Sequence, residues 1–281
     1  MGRVADLVEL VRAPAGLSVP GDVLAGAAAA GTLDRRTPAL AGASVLLYWG
    51  GMAANDWADR RLDAVERPER PIPSGRIRPA TAVGIAAGLT AAGVALAAAA
   101  GGRRAAAVAV PLAATVWGYD LVAKNTAAGP VVMAACRGLD VLLGATGGRL
   151  RRAVPAALTV AAHTWTVTEL SRREVSGADR RLPRVTLAGT ALVAAAAVGP
   201  AAAPVPALLA AGYATRYGGA QARVLADPSP GRVRAAVGAG ITGLPALQGA
   251  LTARAGAGLL GLAVAAAAPL GRRLARLVSP T

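Results

Sequence analysis

Apolar runs recur along the chain between short arginine-bearing stretches. Runs of about 17 to 25 residues are long enough to cross a bilayer, so the pattern predicts membrane-spanning helices. After an amphipathic leading segment over residues 1–16, which carries Arg3 and Arg12, the first span runs from about Leu17 to Gly31 and the second from about Pro38 to Arg60. Further spans are expected near 79–100, 104–123, 130–148, 153–172, 183–199, 204–222, 233–252 and 256–271, which makes ten. Pro79, Pro130, Pro155, Pro183 and Pro204 fall close to the expected starts, where a missing N–H costs little. No heptad repeat, soluble domain or linker longer than 61–78 interrupts the series. The expected fold class is all-α, a multi-span transmembrane helical bundle that forms one integral-membrane domain over residues 1–281.

Composition supports this reading. Of the 281 residues 54% are hydrophobic and only 16% charged, unlike an ordinary soluble domain. Alanine and glycine dominate the runs, so the helices are expected to pack by close backbone approach. A net charge of +15 would suggest nucleic acid in a soluble protein. Here the arginines lie between apolar runs and not along a face interleaved with aromatics, which excludes a nucleic-acid surface and points to topology. Basic residues favour the amino terminus and every second loop, including Arg60, Arg61, Arg67, Arg70, Arg76 and Arg78, and the group Arg172, Arg173, Arg180, Arg181 and Arg184. The positive-inside rule then places those loops in the cytoplasm and the protein in the inner (plasma) membrane, multi-pass. The lone Cys136 excludes an intrachain disulfide, and no cleavable signal is expected, since Asp6 and Glu9 interrupt the leading segment.

Chemistry concentrates at the end of the second span. On a helix turning roughly 100° per residue, Asp59, Asp63 and Asp56 fall about 40°, 80° and 100° from Asn55, so all four share one face. Three carboxylates and an amide at the end of an apolar helix are costly unless something cationic lies against them. Mg²⁺ would suit, because it takes one or two carboxylates and leaves room for phosphate oxygens. The bland alternative is a solvated helix end neutralised by Arg60, Arg61 and Arg67.

The spacing N-D-x-x-D-x-x-x-D at Asn55, Asp56, Asp59 and Asp63, followed by Arg70-Pro71-Ile72-Pro73-Ser74-Gly75, resembles the first acidic signature of the UbiA superfamily of membrane prenyltransferases. Tyr119, Lys124 and Thr126 resemble that superfamily's Y-x-x-x-x-K-x-T element. The resemblance implies nine helices around a central cavity, one fewer than the spans counted here. It also implies Mg²⁺ as cofactor, held by Asn55, Asp56, Asp59 and Asp63, with Asp56, Asp59 and Lys124 acting on a prenyl diphosphate that reacts with a small-molecule acceptor within the lipid bilayer. Asn55, Asp63, Arg70, Ser74 and Tyr119 would help to bind substrate. The acidic stripe is expected to open into a cavity shared with the cytoplasmic end of the sixth span.

Two further groups are candidates for substrate binding. Arg137 and Asp140, three residues apart in the fifth span, can meet on one helix face, and charges at that depth are either self-neutralising or functional. Asp22 and His163 have no partner visible in the sequence and read as hydrogen-bonded interior groups. At the end of the sixth span, where the family carries a second motif D-x-x-x-D, this chain has Glu169, Arg172, Arg173 and Glu174. Glu169 and Glu174 lie about 140° apart on a regular helix, whereas Arg173 stands four residues from Glu169 as an ordinary ion pair would require. An intact first motif with an S-R-R-E-V segment in place of the second resembles the EboC subgroup of UbiA-like proteins. That resemblance implies a gene cluster for making or exporting a secondary metabolite, with membrane partner proteins from the same cluster. Two functions follow as expectations: a Mg²⁺-assisted prenyltransferase, or a noncatalytic relative whose arginines hold an isoprenoid phosphate directly. The D-G-x-x-A-R element of the CDP-alcohol phosphotransferases is absent.

Overall fold

The computed structural model describes residues 2–199 and 203–267, and among them there is helix and turn but no strand. A short helix α1 (Arg3–Leu10) and a 3₁₀ turn (Ala13–Ser18) lead into α2 (Pro20–Ala30) and α3 (Thr37–Glu66). Then come α4 (Pro79–Gly118) and α5 (Gly129–Gly144), followed by α6 (Leu150–Ser171) and α7 (Arg181–Val198). The chain continues through α8 (Pro204–Tyr213), a π turn (Ala214–Gly218), α9 (Gly219–Ala226), α10 (Pro230–Arg254) and α11 (Gly258–Ala267).

Among the described residues, helix covers each of the ten expected segments once two joints are read correctly. A straight helix as long as α4 would run about 60 Å, twice the ~30 Å hydrocarbon core of a bilayer. Gly102 breaks it with φ 66° and ψ −157°, a conformation open to glycine and costly for any residue with a Cβ. The two limbs fold back on each other, and the indole N–H of Trp117 donates to the Thr90 hydroxyl at 3.1 Å. The eighth span is α8 and α9 joined by the π turn. The tenth is described as far as Ala267, and the rest of the expected segment 256–271 lies outside the described residues.

The boundaries depart from expectation where they matter. The second span does not stop at Arg60 but continues as helix to Glu66, which carries Asp63 on the same rod as Asp56. Pro155 lies inside α6, because that helix starts at Leu150, and Pro111 and Pro245 sit inside α4 and α10. Three stretches, Pro79–Ala123, Gly129–Gly147 and Arg181–Val198, are long and apolar enough to cross a membrane by themselves. Large apolar side chains such as Val122, Val131, Leu158, Leu192 and Leu208 are exposed on the outside of the bundle, a surface suited to lipid.

Small residues set the helix spacing. At the crossing of α2 and α5, a Cβ on Gly26 would overlap the Val141 carbonyl, and one on Gly144 would overlap the Val23 backbone. This reciprocal contact brings Asp22 on α2 against Arg137 on α5. At the amino terminus, Arg76 ties α1 to the 67–78 turn. Its guanidinium donates to Asp6 at 2.5 Å, to Glu9 at 2.8 and 3.1 Å, and to the Glu69 carbonyl at 2.6 Å. Leu10 packs behind it with Ala53, Ile72 and Ile77.

Gly144→Leu is expected to destabilise the bundle by more than the ~1–3 kcal/mol usual for overpacking, because the clash is with backbone. Gly84→Ala, where nothing lies within 4 Å, is expected to be neutral or mildly stabilising. Thermal unfolding of the two variants in detergent checks the contrast.

Candidate functional site

Leaving water forces each carboxylate on α3 to find a counter-charge. Asp56 and Asp63 are buried, at 4% and 3% exposure, and Asn55 and Asp59 are half-buried. Arg70 lies between the first two, 3.3 Å from Asp56 Oδ1 and 2.8 Å from Asp63 Oδ2. Asp56 also takes Arg12 at 2.9 Å. Arg12 has φ 47° and ψ 50°, the left-handed conformation at the start of the 3₁₀ turn, an uncommon choice for a residue with a Cβ.

The remaining partners arrive from α4. At its end the helix widens into a π turn over Tyr119–Ala123, closed by the Lys124 N–H donating to the Tyr119 carbonyl at 2.9 Å. Asp120 and Lys124 are thereby set against α3 as two rungs. The Asn55 amide donates to Asp120 Oδ1 at 3.0 Å, and Lys124 Nζ meets Asp59 Oδ1 at 2.5 Å. Asp56, Asp59, Asp63 and Asp120 therefore face Arg12, Arg70 and Lys124, and Asp120 has an amide but no cation at ion-pair distance among the described residues.

Beside this cluster lies a cavity of about 340 Å³. Its walls are mainly apolar, with Leu47, Leu112, Val116 and Met133 among them. Asn55, Asp56, Asp59 and Asp63 do not line it themselves; their partners Arg12 and Asp120 do, with Tyr119 next to them. The expectation of a chamber shared with the sixth span is corrected as well. The helices that contribute are α3, α4, α5 and α10, the last through Ile241, and no lining residue comes from α6. At roughly 100° per residue Ser44, Tyr48, Gly51 and Met52 share the face of the acids but lie about one to three turns earlier on α3, so the acids stand beyond the chamber along the helix axis.

The other expected site residues separate. Ser74 caps its own turn, its hydroxyl donating to the Arg70 carbonyl at 2.7 Å, and it fixes the loop that delivers Arg70. Arg137 pairs not with Asp140 but with Asp22, 2.8 Å away across the α2–α5 crossing. Asp140 accepts instead from the Ser44 hydroxyl at 2.7 Å. Asp22 also accepts from Gln248 at 2.7 Å, and His163 Nδ1 lies 2.8 Å from the Tyr213 hydroxyl.

The segment after α6 forms no second acidic cluster. Because α6 ends at Ser171, Arg173 leaves the helix, and among the described residues no ion pair joins it to Glu169. Arg172 donates to the Lys124 and Thr126 carbonyls at 3.3 and 2.7 Å, which ties the α6 end to the loop after the π turn. Glu174 is half-buried outside the spans, and burial raises its pKa against the opposing pull of Arg234. Asp179 caps α7, accepting from the Leu182 and Arg181 N–H groups, which lower its pKa.

Arg12 and Asp120 are the members of this cluster that spacing alone does not single out. Asp120 carried one signal, a carboxylate beside the Tyr119 and Lys124 pattern. Arg12 carried none, since its role depends on a contact 44 residues away. Among the described residues no three acidic, histidine or cysteine side chains converge on one point. The donor set nonetheless fits a hard divalent cation. It offers carboxylate and amide oxygens, one acid without a counter-cation, and the one or two protein ligands that Mg²⁺ takes when phosphate supplies the rest.

Comparison with known proteins bears on the family and the fold. A digeranylgeranylglyceryl phosphate synthase from Natronomonas pharaonis is 34% identical over 158 residues, covering 55% of this chain and 57% of that protein. One from Methanothrix thermoacetophila is 47% identical over 81 residues, 27% and 30% of the two chains. The chain thus spans from 30% to 57% of the length of these curated relatives. A solved structure concerning digeranylgeranylglyceryl phosphate synthase in membranes superimposes with a TM-score of 0.70 at 17% identity, covering 91% of this chain and 99% of that one. The apo structure of a UbiA homolog from Aeropyrum pernix K1 gives 0.65 at 18% identity, covering 88% and 96%. The profile of the UbiA prenyltransferase family matches residues 19–237, from the start of the first span to α10 and across every residue of the acidic cluster except Arg12, and the chain belongs to that family.

Proposed function

We propose that this protein is an intramembrane prenyltransferase that holds a prenyl diphosphate at the acidic end of the bundle, with Mg²⁺, and transfers the prenyl group to a small acceptor in the adjoining cavity. The observation that carries the reading is the interleaving of Asp56, Asp59, Asp63 and Asp120 with Arg12, Arg70 and Lys124 at the edge of an apolar chamber. Mg²⁺, when bound by Asp56 and Asp59 with Asn55, Asp63 and Asp120 around them, would neutralise the diphosphate as it leaves.

The chain's own cations meet the same charge. Lys124 approaches as a compact point charge, and Arg70 and Arg12 offer planar donor sets to phosphate oxygens. As the allylic C–O bond breaks, its electron pair leaves with the diphosphate, and an electron pair of the acceptor forms the new bond at carbon. Leu47, Leu112, Val116 and Met133 keep water from that carbon. Asp120, the wall carboxylate at the acidic end, is placed to take the proton the acceptor gives up. At the exposed residue Ile241 the wall reaches the outside of the bundle, a sideways exit for an apolar tail.

The arginine distribution supports an orientation with the acidic end in the cytoplasm. The EboC-like alternative, a noncatalytic phosphate binder, gains no support from the segment after α6. There Arg172 is committed to backbone carbonyls.

Purified protein is expected to bind geranyl diphosphate in the presence of Mg²⁺. Asp56→Ala and Asp59→Ala should each weaken that binding by at least about tenfold, or ~1.4 kcal/mol. Calorimetry with and without chelator measures it, and affinity indifferent to both metal and mutation would sink the proposal.

A further inference from the structure

Lys124 is carried by an irregular stretch of backbone. Its side chain is a flexible four-carbon stem, so the place of the ammonium depends on where the main chain holds the residue. That main chain leaves the π turn over Tyr119–Ala123, a rare helical geometry that occurs mostly as a single turn. The last carbonyls of a helix also lack partners within it.

Two contacts from outside α4 meet both needs. Arg172, the residue that follows α6, donates through Nη1 to the Thr126 carbonyl at 2.7 Å and to the Lys124 carbonyl at 3.3 Å. Its charge stands where the α4 rod and its π turn end, the end at which a helix dipole favours a cation. Glu169 and Glu174 lie within three residues of Arg172, yet among the described residues it forms no ion pair with either. Its guanidinium is given instead to two neutral carbonyls.

From the other side Gly129, the first residue of α5, lies against the same loop. A Cβ there would come within 2.9 Å of the Lys124 carbonyl oxygen, 3.0 Å of the Ala123 carbonyl oxygen and 3.3 Å of Arg172 Nη1. Within the loop, the Thr126 hydroxyl donates to the Ala123 carbonyl at 2.8 Å and accepts from the Ala128 N–H at 3.2 Å. The Lys124 carbonyl is thus held between α5 and the end of α6 while the ammonium reaches Asp59 on α3 at 2.5 Å.

We infer that Arg172 is a positioning residue. With Gly129 behind the loop, it fixes where Lys124 stands against Asp59, and through Lys124 it sets how well the site takes a diphosphate. The second half of that statement rests on the transferase reading above. The end of α6 serves the site through the backbone of another segment, without touching the diphosphate itself.

Lys124 is the only lysine in the chain, so ¹⁵N-lysine labelling gives one backbone amide signal. That N–H closes the π turn on the Tyr119 carbonyl at 2.9 Å, and its hydrogen exchange, followed by NMR on the full chain without any ligand, reads the hold on Lys124. Arg172→Gln and Gly129→Ala are each expected to speed exchange at least about fivefold, and Arg172→Lys, which keeps a charged donor, to restore most of the protection. Calorimetry with geranyl diphosphate and Mg²⁺ then joins the loop to the site. Arg172→Gln should weaken binding at least about fivefold in the wild-type background and less than about twofold beside Lys124→Met, because the effect passes through that ammonium. Unchanged exchange in both Arg172→Gln and Gly129→Ala would overturn the inference, as would wild-type affinity in Arg172→Gln. Equal losses in the two backgrounds would also overturn it, by placing Arg172 on the ligand or in a general structural role. If exchange speeds as expected but the wild-type protein binds no geranyl diphosphate, the hold on Lys124 stands and the transferase reading falls.

Discussion

A carboxylate taken out of water into an alanine-rich helix bundle has to be met by an opposite charge, and much of this molecule is arranged around that requirement. Asp56 and Asp63 are buried on α3, and three separate pieces of chain converge on that helix to answer them and Asp59. The leading segment brings Arg12, the 67–78 turn brings Arg70, and the π turn after α4 brings Lys124. Each piece departs from regular structure at the point of delivery: a left-handed residue at Arg12, a tight turn closed by Ser74, and a widened helix at Tyr119–Ala123. Such irregularities persist where the surroundings over-determine them, and they gather at functional sites.

Close packing makes the arrangement possible. Alanine and glycine let α2 and α5 approach until backbone meets backbone at Gly26 and Gly144. A larger residue there would hold Asp22 away from Arg137. Between α3, α4 and α5 a chamber is left in place of a filled core. The result is one apolar space with charge at both ends, Arg12 and Asp120 at one and Arg137 and Asp140 at the other.

Much of the plan was legible in the chain. Each of the ten apolar runs appears as helix among the described residues, since the length of an apolar run is a local property. The stripe Asn55, Asp56, Asp59 and Asp63 lies on one helix, since a 3.6-residue period is local too. Elsewhere local reading went astray. The i,i+4 pairing of Glu169 with Arg173 needs a helix, and α6 ends two residues before Arg173. The i,i+3 pairing of Arg137 with Asp140 was geometrically available, but Asp22 stood closer to the guanidinium.

Sequence by itself thus determined the class of fold, the family and the helix face that carries the acids. All of these follow from periodicity and length within a single segment. Tertiary structure decided who neutralises whom. Arg12 reaches Asp56 across 44 positions and Lys124 reaches Asp59 across 65, and no local spacing encodes such meetings. It also decided that the acids stand behind the chamber wall and their partners form it. That outcome depends on how far along α3 its neighbours α4 and α5 leave the chamber open, which is set by packing and not by the order of residues along any one helix.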